Sequence, residues 1–248
     1  MSGTVDARIW RGGADGGRFE TYAVPRRASQ TVLDVVTFVQ RRLDPTLAYR
    51  YACRVGMCGS CAMTVNGKPR WTCRTHVAGL GDGPLTVEPL RNLPPIRDLA
   101  VDRSRAFHNL ERVKAWVPVD GTYHLGAGPK DTPQNQEMRY TLSTCMTCAC
   151  CLEACPQFNL EENADKWDSE FIGAHAISQA RLFNTHPTGA TLAGERLDVL
   201  MAKGGVNDCG NAQNCVKVCP KEIPLTESIA AIGRAVTVHA VKNFFSGR

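Results

Sequence analysis

The chain has no long apolar run: nothing in its 248 residues approaches the 18 or so apolar side chains that a membrane-spanning helix needs. Its opening, MSGTVDARIW, lacks the apolar core of a secretion signal and the Arg/Ser-rich pattern of an organelle transit peptide. We therefore expect a protein kept inside the cell, where thiols stay reduced and disulfides are rare. Aromatic residues are only 7%, and no dense Lys/Arg stripe interleaves with them, so the footprint of a nucleic-acid binder is missing. There is no CxxCH for haem attachment and no Cys–His pair of Rieske type. Gly126-Ala127-Gly128 begins like a dinucleotide loop, but Pro129 follows and the third glycine is absent, which reads as a turn. Internal repeats beyond the cysteine motifs and low-complexity tracts are also lacking. What remains is the composition of a packed globular protein, 43% hydrophobic and 21% charged, long enough for one large domain or two ordinary ones.

Charge and pattern favour two domains, 1–104 and 105–248. The net charge of +5 is uneven, at +7 over residues 1–105 and −2 over the rest. In the first part, Ala7–Trp10 and Phe19–Val24 read as strands around the Gly-rich stretch Gly12–Gly17. Val32, Val36, Val39 and Leu43 recur at helical spacing, with Thr31 able to cap the start. Ala62–Val65 and Arg70–Thr72 flank Asn66-Gly67, a strong hairpin signal, and Leu85–Glu88 reads as a last strand. Hairpin, helix, hairpin and strand fit a β-grasp sheet crossed by one helix. After Asp102 the pattern turns helical, with apolar residues at 172, 176, 180 and 183 within Phe171–Phe183. They recur at 229, 232, 236, 240 and 244 within Ile229–Phe244. That second helix is expected to pack on its own core rather than on a partner or a membrane surface. The fold class is α+β: an N-terminal β-grasp domain, then an α-helical domain.

Twelve cysteines are the anomaly, and eleven fall into three groups. Cys53, Cys58, Cys61 and Cys73 have the spacing C-x4-C-x2-C-x11-C, which matches plant-type ferredoxins and points to a [2Fe–2S] cluster. Gly56 and Gly59 let the backbone approach closely enough for its N–H groups to reach cluster sulfur. Zinc is the competing reading, but zinc sites use two separated knuckles rather than three cysteines within nine residues. Cys58-Gly59-Ser60-Cys61 alone resembles a thioredoxin-like pair, yet both thiols are better used in this loop. Cys145, Cys148, Cys151 and Cys155-Pro156 form the bacterial C-x2-C-x2-C-x3-C-P run, whose fourth cysteine serves the other cluster of a pair. The second run is Cys209, Cys215 and Cys219-Pro220, with Ala212 where a cysteine is expected. Cys145, Cys148, Cys151 and Cys219 thus make a [4Fe–4S] site. Cys155, Cys209 and Cys215 supply three ligands, as a [3Fe–4S] cluster requires. A cube completed by water, Asp208 or Asn211 is the alternative there. Cys150 is surplus and reads as an inert buried thiol. Clusters of about −2 each bring the loaded chain near −1 overall, while its N-terminal part stays positive.

Three one-electron centres without catalytic side chains make a wire that needs partners at both ends. The order of clusters resembles the iron–sulfur subunits of succinate dehydrogenases and fumarate reductases. The likeness is carried by Cys53–Met63, Cys145–Pro156, Ile177-Ser178-Gln179-Ala180-Arg181 and Cys209–Lys221. It implies a flavoprotein partner carrying covalent FAD, a membrane anchor that binds quinone, and a place on the cytoplasmic face of a bacterial plasma membrane. It also implies that the [2Fe–2S] cysteines receive electrons, the [4Fe–4S] cysteines relay them and the [3Fe–4S] cysteines deliver them. Succinate oxidation is favoured over fumarate reduction. Ubiquinone-linked members carry Trp and His where this chain has Leu160 and Gly210, so menaquinone becomes the expected quinone. A free-standing multi-cluster ferredoxin and the iron–sulfur subunit of another oxidoreductase are the alternatives.

Overall fold

The computed structural model describes residues 3–118 and 130–246; the Gly126-Ala127-Gly128 turn lies outside the described residues. The chain divides into two compact units. One holds the chain up to Arg103 together with Met146–Ala154 and Asn159–Glu162, and the other holds Ser104–Cys145, Cys155–Phe158 and the chain from Asn163 onward. Segment 146–154, which the sequence groups with the C-terminal half, therefore sits in the first unit.

In the first unit, β1 (Thr4–Gly13) and β2 (Gly16–Pro25) form a hairpin longer than the sequence pattern predicts. The glycines pair across the ladder, Gly12 with Gly17 and Gly13 with Gly16, so only Ala14 and Asp15 turn. β3 (Ala62–Val65) and β4 (Lys68–Trp71) pair around Asn66-Gly67, whose φ values of 46° and 72° give the left-handed turn this dipeptide favours. β5 (Leu85–Glu88) lies where the sequence placed it, parallel to β1 and antiparallel to β3, giving the order β2-β1-β5-β3-β4. A small ribbon of β6 (Pro95–Arg97) and β7 (Ala100–Val101) follows.

Strand alternation sends Val5, Ala7 and Ile9 of β1 to one face, against Val32, Val35 and Val36 of α1 (Val32–Phe38). Each such fully buried aliphatic side chain stabilises the fold by roughly 1.5–3 kcal/mol. Thr31 caps α1 through a reciprocal box: its Oγ1 accepts from Asp34 N at 3.2 Å, and Asp34 accepts from Thr31 N at 2.9 Å. The helix does not carry Leu43 onto the core as its spacing suggested. One π-helical turn, Val39–Leu43, closes with Asp44 N donating to Val39 O at 2.8 Å, and Leu43 is left 46% exposed. Asp44 is held there by Arg11, and its carboxylate also accepts from Tyr22 Oη at 3.0 Å.

The second unit is built from α2 (Ser104–Arg112), α3 (Pro133–Ser143), α5 (Ala174–Thr185), α6 (Ala193–Met201), α7 (Asn214–Val218) and α8 (Leu225–Ser246). The short α4 (Cys150–Glu153) belongs to the first unit. α5 starts three residues later than its apolar pattern predicted, because Gly173 at φ 88° stops the helix from extending backwards. Ile172 instead donates its N–H to Gly204 O at 2.8 Å and accepts from Asn109 Nδ2 at 3.0 Å. Arg196, fully buried on α6, donates to four carbonyls, those of Val113, Lys114, Trp116 and Gly189, and so joins three segments. α8 packs through Leu225, Ser228, Ile232 and Val236, as expected of a terminal helix, but Phe244 is 81% exposed rather than packed. No described helix is long and apolar enough to cross a membrane.

Candidate metal centres

The Cys53–Cys61 loop is curled by three left-handed residues, Arg54 (φ 59°), Gly56 (φ 74°) and Gly59 (φ 69°). The curl turns amides inward. Met57 N donates to Cys53 Sγ at 3.2 Å, and Cys53 N and Ser60 N donate to Cys58 Sγ at 3.5 Å each. Both glycines are needed for space as well as φ. A Cβ on Gly56 would lie 2.6 Å from the Trp71 ring, and one on Gly59 would lie 2.8 Å from Met146 O. Cys73 stands just beyond β4, in the turn Thr72–Arg74 rather than on the strand itself. It packs with Cys61, Leu33 and Trp71 in a small buried cluster.

Electrostatics divide these four thiols. Burial works against charge at Cys58, yet the backbone N–H groups of Cys53 and Ser60 outweigh it and bring the thiol down to about 6. Burial and the neighbouring Cys61 push Cys73 up to about 12. A loop that aims N–H groups at sulfur is the donor set an anionic iron–sulfur cluster needs. Among the described residues no three His, Cys, Asp or Glu side chains are arranged to hold a single metal ion.

The second and third groups share one backbone design. After Cys145, Thr147 (φ 47°) and Ala149 (φ 68°) are left-handed, and α4 starts at once. After Cys209, Asn211 (φ 52°) and Gln213 (φ 60°) are left-handed, and α7 starts at once. Position for position, Cys148 therefore corresponds to Ala212, the register that the cysteine spacing implied. Cys148 and Cys151 lie in the first unit, buried, whereas Cys145 and Cys219 belong to the second, at the ends of α3 and α7. Cys155, Cys209 and Cys215 all lie in the second unit. Burial raises the thiols of Cys155 and Cys215, and each is raised further by the Cys209 thiolate, so the three are electrostatic neighbours. Asp208 turns its carboxylate to Gly204 N at 2.8 Å, which engages one of the alternative oxygen ligands elsewhere.

Two residues here had no motif to announce them. Cys150, fully buried, hydrogen-bonds to Cys148 and is the first cause of that thiol's fall to about 7. Arg103 donates from one guanidinium nitrogen to Gly59 O at 3.2 Å and to Thr147 O at 3.3 Å, joining the first and second cysteine loops within the first unit. Periodicity and spacing rules cannot find such a residue, because its targets are backbone carbonyls far away in sequence.

Family comparisons agree with this arrangement. Residues 6–108 match a 2Fe–2S iron–sulfur cluster binding domain, and residues 141–223 match a 4Fe–4S dicluster domain. The two together define an iron–sulfur electron-transfer protein with the α+β architecture described above. The succinate dehydrogenase iron–sulfur subunit of Bacillus subtilis is 44% identical, over 91% of this chain and 89% of that protein. The fumarate reductase iron–sulfur subunit of Mycobacterium tuberculosis is 36% identical, over 90% and 88%. A chain of the Mycobacterium smegmatis Sdh1 complex in the apo form superposes with a TM-score of 0.78 at 26% identity, covering 95% of this chain and 96% of that one. The chain belongs to the family of succinate dehydrogenase and fumarate reductase iron–sulfur subunits. Its cofactor set is [2Fe–2S], [4Fe–4S] and [3Fe–4S], and its role is electron transfer within an oxidoreductase complex.

Proposed function

We propose that this chain carries electrons one at a time from the FAD of a flavoprotein subunit to menaquinone in a membrane anchor, in the direction of succinate oxidation. On this reading it is held at the cytoplasmic face of a bacterial plasma membrane. Cys53, Cys58, Cys61 and Cys73 would hold [2Fe–2S]; Cys145, Cys148, Cys151 and Cys219 would hold [4Fe–4S]; Cys155, Cys209 and Cys215 would hold [3Fe–4S]. Clusters of these types supply reversible one-electron transfer when bound. The chain's own residues do the rest: backbone amides donate to the sulfurs of Cys53 and Cys58 and steady charge there.

The observation that carries the proposal is the pattern of exposure along the three loops. In the first, Arg54, Val55 and Met57 are exposed; in the second, Cys148–Leu152 are buried; in the third, Gly210–Asn214 are exposed. A wire needs two accessible ends and a sheltered middle, and this order matches the cluster order.

The test is purification of the tagged chain from detergent-solubilised membranes of its own host. A larger subunit with covalent flavin, succinate-dependent menaquinone reduction and a near-isotropic EPR signal from the oxidised protein are expected. A brown protein that comes off alone, without flavin, would falsify the assignment and leave a stand-alone carrier. Faster fumarate reduction than succinate oxidation would reverse the direction only.

A further inference from the structure

Beside the first cysteine loop lies a cleft of ≈ 410 Å³ lined by Arg27, Arg41, Arg42 and Arg54, with Asp34 its one acidic lining residue. All four arginines are exposed, and none enters an ion pair with a carboxylate among the described residues. Two of them are held in place by rings. Arg54 lies 4.7 Å over Tyr51, which stacks on Tyr49, and Arg27 lies 5.9 Å over Phe38. Arginines positioned in advance lose little freedom when they bind, so the cleft is prepared for anions. Next to it, Val55 and Met57 on the cysteine loop are 62% and 65% exposed. Arginine, methionine and tyrosine around an exposed apolar patch make the composition of a protein interface, whereas small-molecule pockets are mostly apolar and enclosed.

We infer that this arginine cleft receives an acidic segment of the flavoprotein subunit, which seats Val55 and Met57 against that partner. The inference rests on the function proposed above and names the surface and the charge that would join the two subunits. Four arginines against one aspartate leave the cleft net positive and ask for carboxylates, and electrostatic attraction of this kind orients two proteins before their apolar centres meet.

The complex purified from membranes is the material for the test. Arg42→Glu is compared with Arg18→Glu, the same charge change on β2 outside the cleft, and Arg42→Lys is included as the conservative variant. As salt rises, the Arg42→Glu complex should lose its flavin-bearing subunit with about tenfold weaker association, while Arg18→Glu and Arg42→Lys keep it. The visible spectrum of the [2Fe–2S] centre shows that each variant is folded and loaded, and Arg42→Gln, with about half the effect, gives a second reading. Equal retention by Arg42→Glu, or equal loss by Arg42→Glu and Arg18→Glu, overturns the inference. So does loss of binding to vesicles of anionic phosphatidylglycerol with the flavoprotein retained. A wild-type chain that brings no flavoprotein at all defeats the functional reading instead, which keeps the two failures apart.

A separate observation supports a second inference. Arg103, on one guanidinium nitrogen, bridges the carbonyls of Gly59 and Thr147, each the chain neighbour of a cysteine of its loop, Cys58 and Cys148. We propose that Arg103 is a positioning residue that fixes the spacing of the first two cysteine loops and raises the potential of the centres on both. Redox titration followed by EPR tests it on the loaded complex. Arg103→Gln should lower both midpoint potentials, and Arg103→Lys should restore most of the shift by keeping the charge. Potentials unchanged in Arg103→Gln, or equally lowered in Arg103→Lys, would overturn the electrostatic role.

Discussion

The loops that follow Cys145 and Cys209 fold alike and live differently. Each places left-handed residues two and four positions after its first cysteine and then enters a short helix. Yet Cys148–Leu152 are buried, while Gly210–Asn214 are all exposed. The single chemical difference with a consequence for metal is Cys148 against Ala212. One backbone template thus carries a cysteine at 148 where it is buried and an alanine at 212 where it is exposed. The template sets how the chain wraps, and the side chain at this one position sets which donor it offers.

The comparison can be broken by exchanging its defining residue. Cys148→Ala gives the sheltered loop the composition of the exposed one, and succinate-dependent quinone reduction should fall to background as the [4Fe–4S] EPR signal disappears. Next in size, Gly59→Ala should damage the first two loops and spare the third. Its Cβ would press on Met146 O at 2.8 Å and on the Cys148 Cβ at 2.9 Å, at a backbone φ of 69°. Loss of [2Fe–2S] absorbance with the near-isotropic signal retained is the expected result. In the opposite sense, Ala212→Cys should convert [3Fe–4S] to [4Fe–4S] without loss of stability, and EPR of the oxidised protein reads it directly. An unchanged signal would mean that the correspondence of 148 with 212 does not extend to the metal.

Acid should separate the hosts of the two loops. His175, in the unit that holds the third loop, is fully buried and brought down to about 4 by burial, partly opposed by its hydrogen bond to Ala106 O. Its Nε2 lies 2.9 Å from that carbonyl, while Nδ1 has no partner among the described residues. The neutral ring is therefore native, and the unfolded chain, with an ordinary value near 6.5, binds the proton more readily. Stability is untouched above pH 6.5 and falls between there and pH 4, by at most about 3 kcal/mol. Hydrogen exchange should show α5 amides losing protection across that window before the β1–β5 amides do. The smallest effect concerns the left-handed residues. Thr147 is β-branched and strained at φ 47°, whereas Asn211 tolerates φ 52°. Thr147→Gly should stabilise by about 0.5 kcal/mol in thermal unfolding, and Asn211→Gly should not.

Much of this was legible beforehand, and the reasons for the gaps are physical. Cysteine spacing implied a register that pairs Cys148 with Ala212, and the backbone after Cys145 and Cys209 repeats in that register. Thr31 and Asn66-Gly67 act through their own backbone neighbours, and their cap and turn came out as expected. Periodicity reports only that a face is apolar, not what covers it. Leu43 and Phe244 fit their patterns and still face outward, the first because a π turn rotates it away, the second because α8 outruns its own core. Arg103 and the Cys150–Cys148 hydrogen bond depend on distant carbonyls or on burial, which no local pattern encodes.

Segment 146–154 has a consequence for how the protein is made. Asn92 donates from its side chain to the carbonyls of Leu152 and Glu153, at 3.2 and 3.1 Å, and its backbone N–H reaches the Glu153 carboxylate at 2.9 Å. The sheet unit is therefore incomplete when Arg103 leaves the ribosome and stays so until Glu162, about sixty residues later, has been synthesised. The dicluster run is split between the two units, so neither half can be exchanged as a cassette at the obvious seam near residue 103. The first unit is thus completed by thirteen residues from the middle of the sequence that builds the second, Met146–Ala154 and Asn159–Glu162, so the fold is assembled across the seam rather than on either side of it.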